Sequence, residues 1–239
     1  MEIQDIRFPT GSGKDMRGWL CAPTNGAAAS PGVLVIHEAT GLVENIRPVL
    51  RRFAENGYVA LAPNLFDKPG SKPLCVARTM TAMVTGKGEA LNDLESAKAF
   101  LREQASVNPD RLAVAGFCMG GGFALLLALT SGIKASAPYY GMSPAYLEKI
   151  EQSCPVIASY GGRDAVMRQA WPGLEKALKR SGIPHEFKVY PGAGHSYFTE
   201  DQPGLLFQLG KLGPLKGGYC RDESEDSWER MLTFFAKHV

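Results

Sequence analysis

A sharp corner between a predicted strand and a predicted helix constrains this chain more than any other feature. It is the stretch G-F-C-M-G-G at residues 116–121, which follows the apolar run L-A-V-A and precedes the run F-A-L-L-L-A-L. A strand that turns directly into a helix needs small residues two positions before and two positions after the corner residue, because the flanking backbones meet there. Gly116 and Gly120 occupy those positions, so the corner would raise the side chain of Cys118 above the sheet.

Two interpretations of this corner are open from the stretch alone. The glycines could mark a tight turn in which Cys118 is a small buried hydrophobic residue. Alternatively, the corner is a nucleophile elbow, with the thiol in front of the first amides of a helix. Those amides and the helix dipole lower the pKa of a thiol and stabilise an oxyanion. The strand-turn-helix context favours the second interpretation.

Strand-like and helix-like segments alternate along the rest of the 239 residues. The predicted strands are 16–21, 32–37, 58–62, 134–141, 155–160 and 185–190, and the predicted helices are 45–56, 91–101, 167–180 and 227–238. This alternation predicts an α/β fold with a mostly parallel sheet flanked by helices on both faces. We predict one domain over residues 1–239, with long excursions at 68–88 and 198–226 near the site.

Composition excludes several classes of partner and compartment. The net charge of +2 gives no reason to expect nucleic acid or an anionic membrane as a partner. The amino terminus has no apolar signal region, and the longest apolar run is far shorter than the ~20 residues that span a bilayer. Five cysteines without CxxC pairs or metal-ligand spacing predict reduced thiols, no metal site and a cytoplasmic protein.

Two further residues could complete a nucleophilic site with Cys118. His195 lies in a glycine-rich loop directly after the predicted strand 185–190, and Asp164 follows the strand 155–160. Taken alone, Asp164 is more simply a helix cap. However, the chain order cysteine, aspartate, histidine is the order of nucleophile, acid and base in the α/β-hydrolase fold.

The end of the predicted strand 32–37 carries two more polar residues. Glu38 is either a solvated carboxylate or a second carboxylate beside the thiol, able to take or hold its proton. His37 could equally be a buried histidine whose hydrogen bonds are satisfied.

Taken together, the motifs of this chain resemble the dienelactone hydrolase (carboxymethylenebutenolidase) family. The similarity extends from about residue 10 to the C-terminal helix, and it rests on the elbow together with H-E-A-T-G at 37–41, Y-Y-G at 139–141, G-G-R-D at 161–164 and Y-P-G-A-G-H-S at 190–196. The resemblance implies an α/β-hydrolase fold and hydrolysis of a small-molecule lactone or ester. It implies neither a metal nor an organic cofactor.

The resemblance also implies a role for each matching residue. Cys118 would be the nucleophile, His195 the general base and acid, Asp164 the residue that orients the histidine, and Glu38 the carboxylate that accepts the thiol proton when substrate binds. The remaining roles are an oxyanion hole made by the backbone amides of Met119 and Ala39, and a substrate pocket lined by Arg78, Tyr139, Tyr140 and Phe198.

One position departs from the family pattern. Thr199 stands four residues after the histidine, where the family enzyme that cleaves dienelactone has an arginine that binds the substrate carboxylate. Arg78 could match the other carboxylate-binding arginine of that enzyme. The segment after Phe198 is longer than in the family, and Phe207 and Tyr219 are available there to line a pocket. We therefore expect a relaxed or shifted substrate preference.

Other functions remain compatible with the sequence. Within the hydrolases, a broad-specificity carboxylesterase is the main alternative to a lactonase. A non-catalytic binder of small molecules on the same scaffold is a further alternative. A redox role is less well supported, since no second cysteine has a CxxC relation to Cys118, although Cys154 or Cys220 could approach it in the fold. Both a monomer and a dimer are compatible with the sequence.

Overall fold

The computed structural model describes residues 1–24, 29–67, 71–143, 147–201 and 212–239. Within those residues the strands are β1 (Ile3–Pro9), β2 (Asp15–Cys21), β3 (Ser30–Ile36), β4 (Val59–Pro63), β5 (Val107–Phe117), β6 (Ala135–Tyr139), β7 (Val156–Gly161) and β8 (His185–Tyr190). The α-helices are α1 (Ile46–Glu55), α2 (Lys72–Thr85), α3 (Glu89–Arg102), α4 (Met119–Leu127), α5 (Trp171–Ser181) and α6 (Arg221–His238). Short 3-10 helices occupy Leu147–Gln152 and Met167–Gln169.

All eight strands belong to one sheet, in the order β1-β2-β4-β3-β5-β6-β7-β8. The β1-β2 and β2-β4 pairs are antiparallel, whereas every pair from β4 across to β8 is parallel. The predicted mostly parallel sheet is therefore confirmed. β5 lies near the middle of the sheet, and β8 forms one edge.

Helices cover both faces of the sheet, as the alternating pattern predicts. The strands between them are apolar on both sides: in β3, Val33 and Val35 pack on one face while Leu34 and Ile36 pack on the other. The first face is covered by α1, α5 and α6, and the second by α2, α3 and much of α4. Such runs without polar alternation are typical of strands buried on both sides.

The sheet topology brings the predicted site residues to one edge. Glu38 follows β3, Cys118 follows β5, Tyr140 follows β6, Asp164 follows β7 and His195 follows β8. Because these strands are parallel, their carboxyl ends meet at the same edge of the sheet, which is where α/β folds place their ligand sites.

Several element boundaries differ from the predictions. The excursion at 68–88 contains the helix α2, and the closing helix α6 begins at Arg221, six residues before the predicted start at Ser227. The predicted helix at 167–180 is a 3-10 turn, Met167–Gln169, followed by α5. β1 was not predicted, since its apolar residues are few, and it pairs only with β2.

Among the described residues, no helix combines the length and the apolar character that crossing a membrane requires.

Candidate active site

Cys118 occupies a strained backbone position between the end of β5 and the start of α4, with φ 55° and ψ −114°. A residue with a Cβ rarely adopts a positive φ, and such strain persists only where the surrounding structure enforces it. Here a Cβ on Gly116 would overlap the Gly120 carbonyl oxygen, and a Cβ on Gly120 would overlap the Ile36 carbonyl oxygen. Backbone contact therefore requires both glycines, and the corner has the geometry of a nucleophile elbow.

Hydrogen bonds fix the corner to the neighbouring strand. The Cys118 amide donates to the Tyr139 carbonyl oxygen at 3.0 Å, and the Cys118 carbonyl oxygen accepts from the Gly121 amide at 3.0 Å. The Cys118 side chain is partly exposed and carries a free thiol. The thiol thus stands at the start of a helix, on a backbone that cannot easily move.

Two backbone amides at this edge of the sheet have no acceptor among the described residues. Among the described residues, neither the Met119 amide nor the Ala39 amide donates to a backbone or side-chain group. Met119 is the first residue of α4, and Ala39 lies in the loop after β3. Unpaired amides at a helix start and an adjacent loop are what an oxyanion hole needs.

The loops after β7 and β8 bring Asp164 and His195 into direct contact. His195 Nδ1 lies 2.5 Å from Asp164 Oδ2, and the Asp164 side chain is fully buried. The other carboxylate oxygen, Oδ1, accepts the amides of Val166 and Met167 at 3.0 and 3.1 Å. Asp164 therefore both caps the short 3-10 helix and holds the histidine, so its two interpretations are compatible.

The charge on the His195 ring is set by opposing effects. Burial lowers the pKa of this imidazole, while the neighbouring Cys118 sulfur and the Asp164 carboxylate raise it, and the net result is a pKa of about 10. A histidine in this setting is an imidazolium at neutral pH.

A later segment of the chain holds the histidine loop in place. The His195 amide donates to the Leu215 carbonyl oxygen at 2.9 Å, and the Gly218 amide donates to the His195 carbonyl oxygen at 3.2 Å. Gly194 lies so close to this segment that a Cβ there would overlap the Lys216 carbonyl oxygen. Residues 215–218, in the described part of the 198–226 excursion, therefore hold the backbone of the His195 loop in place.

Glu38 is buried and is held by two hydroxyl groups. Its Oε1 accepts from the Tyr140 hydroxyl at 3.1 Å and from the Thr199 hydroxyl at 3.4 Å. Burial raises the pKa of Tyr140 well above 10, and the Glu38 charge adds to this effect. The phenol therefore stays protonated and donates a hydrogen bond to Glu38. The Cys118 sulfur also raises the pKa of Tyr140, although less than burial and Glu38 do. Glu38, Tyr140 and Cys118 are therefore close enough to interact electrostatically.

Tyr139 and Phe198 belong to an aromatic cluster. Phe198 stacks on Phe117 with ring centroids 5.0 Å apart and lies 4.4 Å from the Tyr139 ring. The Tyr139 hydroxyl donates to the Ser227 carbonyl oxygen of α6 at 3.1 Å. Of the two predicted pocket tyrosines, the structure therefore brings Tyr140 to the polar site and turns Tyr139 toward α6.

Arg78 lies apart from the residues described above. It is on the exposed face of α2 and lines a cleft between α2 and the start of α3, together with Lys87 and Glu89. The contacts of the described residues do not join it to Cys118, His195 or Glu38. Its assignment as a substrate-binding residue stays a prediction.

A second cleft adjoins the site through Thr199. It lies between the start of α1 and the start of α6, and Phe198, Thr199 and Tyr219 line it together with Asn45 and Trp228. Tyr219 is therefore near the position predicted for it, whereas Phe207 lies outside the described residues. In the part of the chain that the structure describes, no group of three or more histidine, cysteine, aspartate or glutamate side chains could hold a metal ion.

The contact between Thr199 and Glu38 is the feature of the site that sequence reasoning missed. In the sequence, Thr199 is distinguished only as a departure from the family pattern, yet it is buried and hydrogen bonds to the carboxylate. These residues are 161 positions apart, so no local pattern joins them. The only signal in the sequence was the position of Thr199, four residues after a candidate catalytic histidine.

The mostly parallel sheet, with helices on both faces and a sharp strand-to-helix corner after the inner strand β5, defines an α/β-hydrolase fold. The family model described as the dienelactone hydrolase family matches residues 16–239. The chain therefore belongs to the dienelactone hydrolase family, and it is a hydrolase of lactone or ester bonds, as the resemblance implied.

Curated relatives agree with this assignment. A protein of Salmonella typhimurium with the provisional name carboxymethylenebutenolidase is 28% identical over 242 residues, which cover 95% of this chain and 84% of the relative. A protein of Saccharolobus solfataricus with the same provisional name is 29% identical over 96% of this chain and 97% of its own length.

Solved structures show the same fold. A Klebsiella pneumoniae protein provisionally named as a dienelactone hydrolase superposes with a TM-score of 0.81 at 25% identity, over the full length of both chains. The esterase Est22 superposes with a TM-score of 0.71 at 16% identity, over 98% of this chain and 80% of the esterase. At that lower identity the similarity shows the fold alone.

Proposed function

We propose that the protein hydrolyses a lactone or carboxylic ester through an acyl-enzyme formed on Cys118. One arrangement carries this proposal: the elbow places the Cys118 sulfur where it raises the pKa of His195, and Nδ1 of that histidine lies 2.5 Å from Asp164 Oδ2. A nucleophile, a base within reach of it and a buried group that orients the base make up the arrangement that covalent acyl transfer needs.

In the first half of the reaction, the Cys118 sulfur bonds to the substrate carbonyl carbon. The carbonyl π electrons move onto its oxygen, and the amides of Met119 and Ala39 stabilise this oxyanion. When the oxyanion collapses, the bond to the alcohol oxygen breaks, and that oxygen takes a proton from the His195 imidazolium. The products of this half are a thioester on Cys118 and the alcohol, which stays attached to the acyl group when the substrate is a lactone.

In the second half, water releases the acyl group. Neutral His195 takes a proton from the water as its oxygen bonds to the thioester carbonyl carbon, and the same two amides stabilise the second oxyanion. Collapse breaks the carbon–sulfur bond and returns a thiolate beside an imidazolium. Asp164 keeps Nδ1 of the histidine occupied, so Nε2 carries the proton in each step.

The thiol could be activated in two ways, and the contacts of Glu38 favour one of them. Either Cys118 and His195 form a standing ion pair, or Glu38 takes the thiol proton only when substrate is present. Glu38 is engaged by Tyr140 and Thr199, whereas His195 interacts with Cys118. We therefore assign the resting state to the thiolate–imidazolium pair, with Glu38 as a nearby fixed charge.

Replacement of the nucleophile tests the proposal. We expect Cys118→Ala to lose at least about a thousand-fold in kcat/KM on p-nitrophenyl esters and simple lactones. Cys220→Ala, which removes another free thiol, is the matched control and should keep wild-type rates. Rapid-quench mass spectrometry should find an acyl adduct on Cys118 that decays at the rate of turnover.

Two outcomes would point elsewhere. Near-normal hydrolysis by Cys118→Ala would refute the thiol mechanism. An acyl adduct on Cys118 that persists without release would instead support the alternative of a small-molecule binder that has lost turnover. Comparable rates on many unrelated alkyl esters, with slow cleavage of lactones, would favour the carboxylesterase alternative.

A further inference from the structure

His37, the residue directly after β3, is completely buried and takes no part in the steps above. Its ring joins two loops: Nδ1 lies 2.7 Å from the Glu38 carbonyl oxygen, and the Leu65 amide donates to Nε2 at 3.1 Å. An amide can only donate, so Nε2 must be the acceptor and the ring proton must lie on Nδ1. His37 is thus a neutral imidazole in one tautomer, and Nδ1–H donates to the Glu38 carbonyl oxygen.

That carbonyl belongs to the peptide group that joins Glu38 to Ala39. The carbonyl and the N–H of a trans peptide point in opposite directions. The Glu38 carbonyl oxygen accepts from His37 and also from the Gly41 amide at 3.0 Å. Because the oxygen side of the peptide is fixed in this way, the Ala39 N–H is held on the other side, where it has no acceptor among the described residues.

We propose that His37 is a positioning residue for the oxyanion hole, which keeps the Glu38–Ala39 peptide turned with its N–H toward the reacting carbonyl. This inference rests on the proposed function, because it assumes that the Ala39 amide stabilises an oxyanion. In the opposite orientation of the peptide, the Glu38 carbonyl dipole would face the developing negative charge and repel it. Two groups supply the constraint: the Gly41 amide, which belongs to the same loop, and the His37 ring, which ties the peptide to the loop after β4.

The surroundings of His37 make it a rigid support. The Leu65 amide that fixes Nε2 follows β4, the strand next to β3. The Phe66 ring packs edge-on against the imidazole, with centroids 5.1 Å apart. On the other side, a Cβ on Gly120 would lie 2.8 Å from the His37 carbonyl oxygen, so the elbow backbone presses against the same strand end. His37 therefore contacts both the Glu38–Ala39 peptide and the elbow backbone, which carry the two candidate oxyanion donors.

A pair of substitutions separates the two hydrogen bonds of the ring. In His37→Gln, the amide group reaches the position of Nε2 and can accept from Leu65, but Nδ1 has no counterpart. In His37→Asn, the side-chain nitrogen stands close to the position of Nδ1 and can donate to the Glu38 carbonyl. We expect His37→Gln to acylate about 10- to 100-fold more slowly with p-nitrophenyl acetate, somewhat less than the loss of a whole oxyanion donor. His37→Asn should recover most of that loss.

Alkylation of Cys118 by iodoacetamide distinguishes positioning of the oxyanion hole from a general structural role, since this displacement forms no oxyanion. The alkylation rate of His37→Gln should stay within about two-fold of wild type while its acylation rate falls. His185→Gln is the matched control, because His185 Nδ1 also lies within hydrogen-bond distance of a backbone carbonyl, that of Ile183 at 2.9 Å, but at the start of β8. This control should leave both rates unchanged.

Equal loss of alkylation and acylation, or no loss of either in a folded His37→Gln protein, would overturn the inference. If the variants do not fold, ¹⁵N NMR of the wild-type protein still decides: the inference requires a neutral His37 with its proton on Nδ1, and a proton on Nε2 refutes it. The proposed function is tested separately, because Cys118→Ala abolishes turnover whether or not His37 positions the hole.

Discussion

The Tyr140 hydroxyl donates a hydrogen bond to Glu38 Oε1 at 3.1 Å and so joins the carboxyl ends of β6 and β3 across the elbow strand that lies between them. Both side chains are buried, and Thr199 adds a second, longer bond to the same oxygen. A buried carboxylate is thereby held by neutral donors. This arrangement keeps the negative charge of Glu38 directed at hydroxyl groups rather than at Cys118.

Removal of the Tyr140 hydroxyl should therefore lower the reactivity of the Cys118 sulfur. In Tyr140→Phe, the Glu38 charge loses its closer donor and repels the thiolate more strongly, and we expect resting iodoacetamide alkylation to slow by about five- to ten-fold, or roughly 1 kcal/mol. Thr199→Val should have a smaller effect, since its bond is longer. Tyr139→Phe is the matched control, because that hydroxyl bonds to Ser227, and it should alkylate normally. Faster alkylation in Tyr140→Phe would contradict this role for the pair.

The elbow should not tolerate a methyl group at Gly120. We expect Gly120→Ala to lose about 3 kcal/mol of unfolding free energy and most of its activity, because the added carbon would overlap the Ile36 carbonyl oxygen. Gly173→Ala, also in the first turn of a helix, is the control: its nearest neighbour would be Leu147 Cδ1 at 3.5 Å, an ordinary contact. That change should raise stability by roughly 0.5–1 kcal/mol. Chemical denaturation of both variants measures the difference, and equal effects would show that space at position 120 is not the constraint.

The His195 imidazole should titrate near pH 10. Cys118 and Asp164 raise its pKa to about 10 against the lowering effect of burial, and histidine-selective NMR would follow the titration directly. Because this folded-state pKa exceeds the unfolded value of about 6.5, the interaction stabilises the fold fully below about pH 6.5. Its contribution is lost as the pH rises through 10. In Asp164→Asn the titration should move to lower pH. A wild-type midpoint close to 6.5 would exclude the standing ion pair.

Substrate charge should matter because Glu38 is buried at the site. A second carboxylate within about 6 Å of it would cost roughly 2–3 kcal/mol at an effective dielectric constant of about 20. We therefore expect a neutral lactone or ester to be preferred at least about ten-fold in kcat/KM over a matched substrate that carries a carboxylate. Glu38→Gln should reduce that ratio, whatever it does to the absolute rates. Selective turnover of the anionic substrate by the wild-type protein would contradict this expectation.

The fold class and the polar edge of the sheet were predictable because their signals are local. Buried parallel strands have continuous apolar runs, and the elbow requires glycines at fixed offsets, so Gly116, Cys118 and Gly120 could be interpreted within six residues. Asp164 and His195 each follow such a strand, and parallel strands end at the same edge. Their meeting follows from topology once the strands are assigned.

The parts that could not be predicted depend on weak or distant signals. Prolines and glycines at 69–73 disguise the start of α2, and the first turn of α6 is polar, with Asp222 and Glu223 where an apolar stripe would be sought. The bonds from Thr199 to Glu38 and from Leu65 to His37 join loops that are distant in the sequence. Side-chain pairing of this kind appears only when the loops are packed together.

Cys118 and His195 are held by different parts of the molecule. Cys118 sits on β5 in the interior of the sheet, whereas His195 follows the edge strand β8 and is braced by residues 213–218. An edge strand has a single neighbour and opens more readily than a central one. On gentle heating we therefore expect the His195 loop to open before the elbow does, so that activity is lost while Cys118 is still held in a folded sheet.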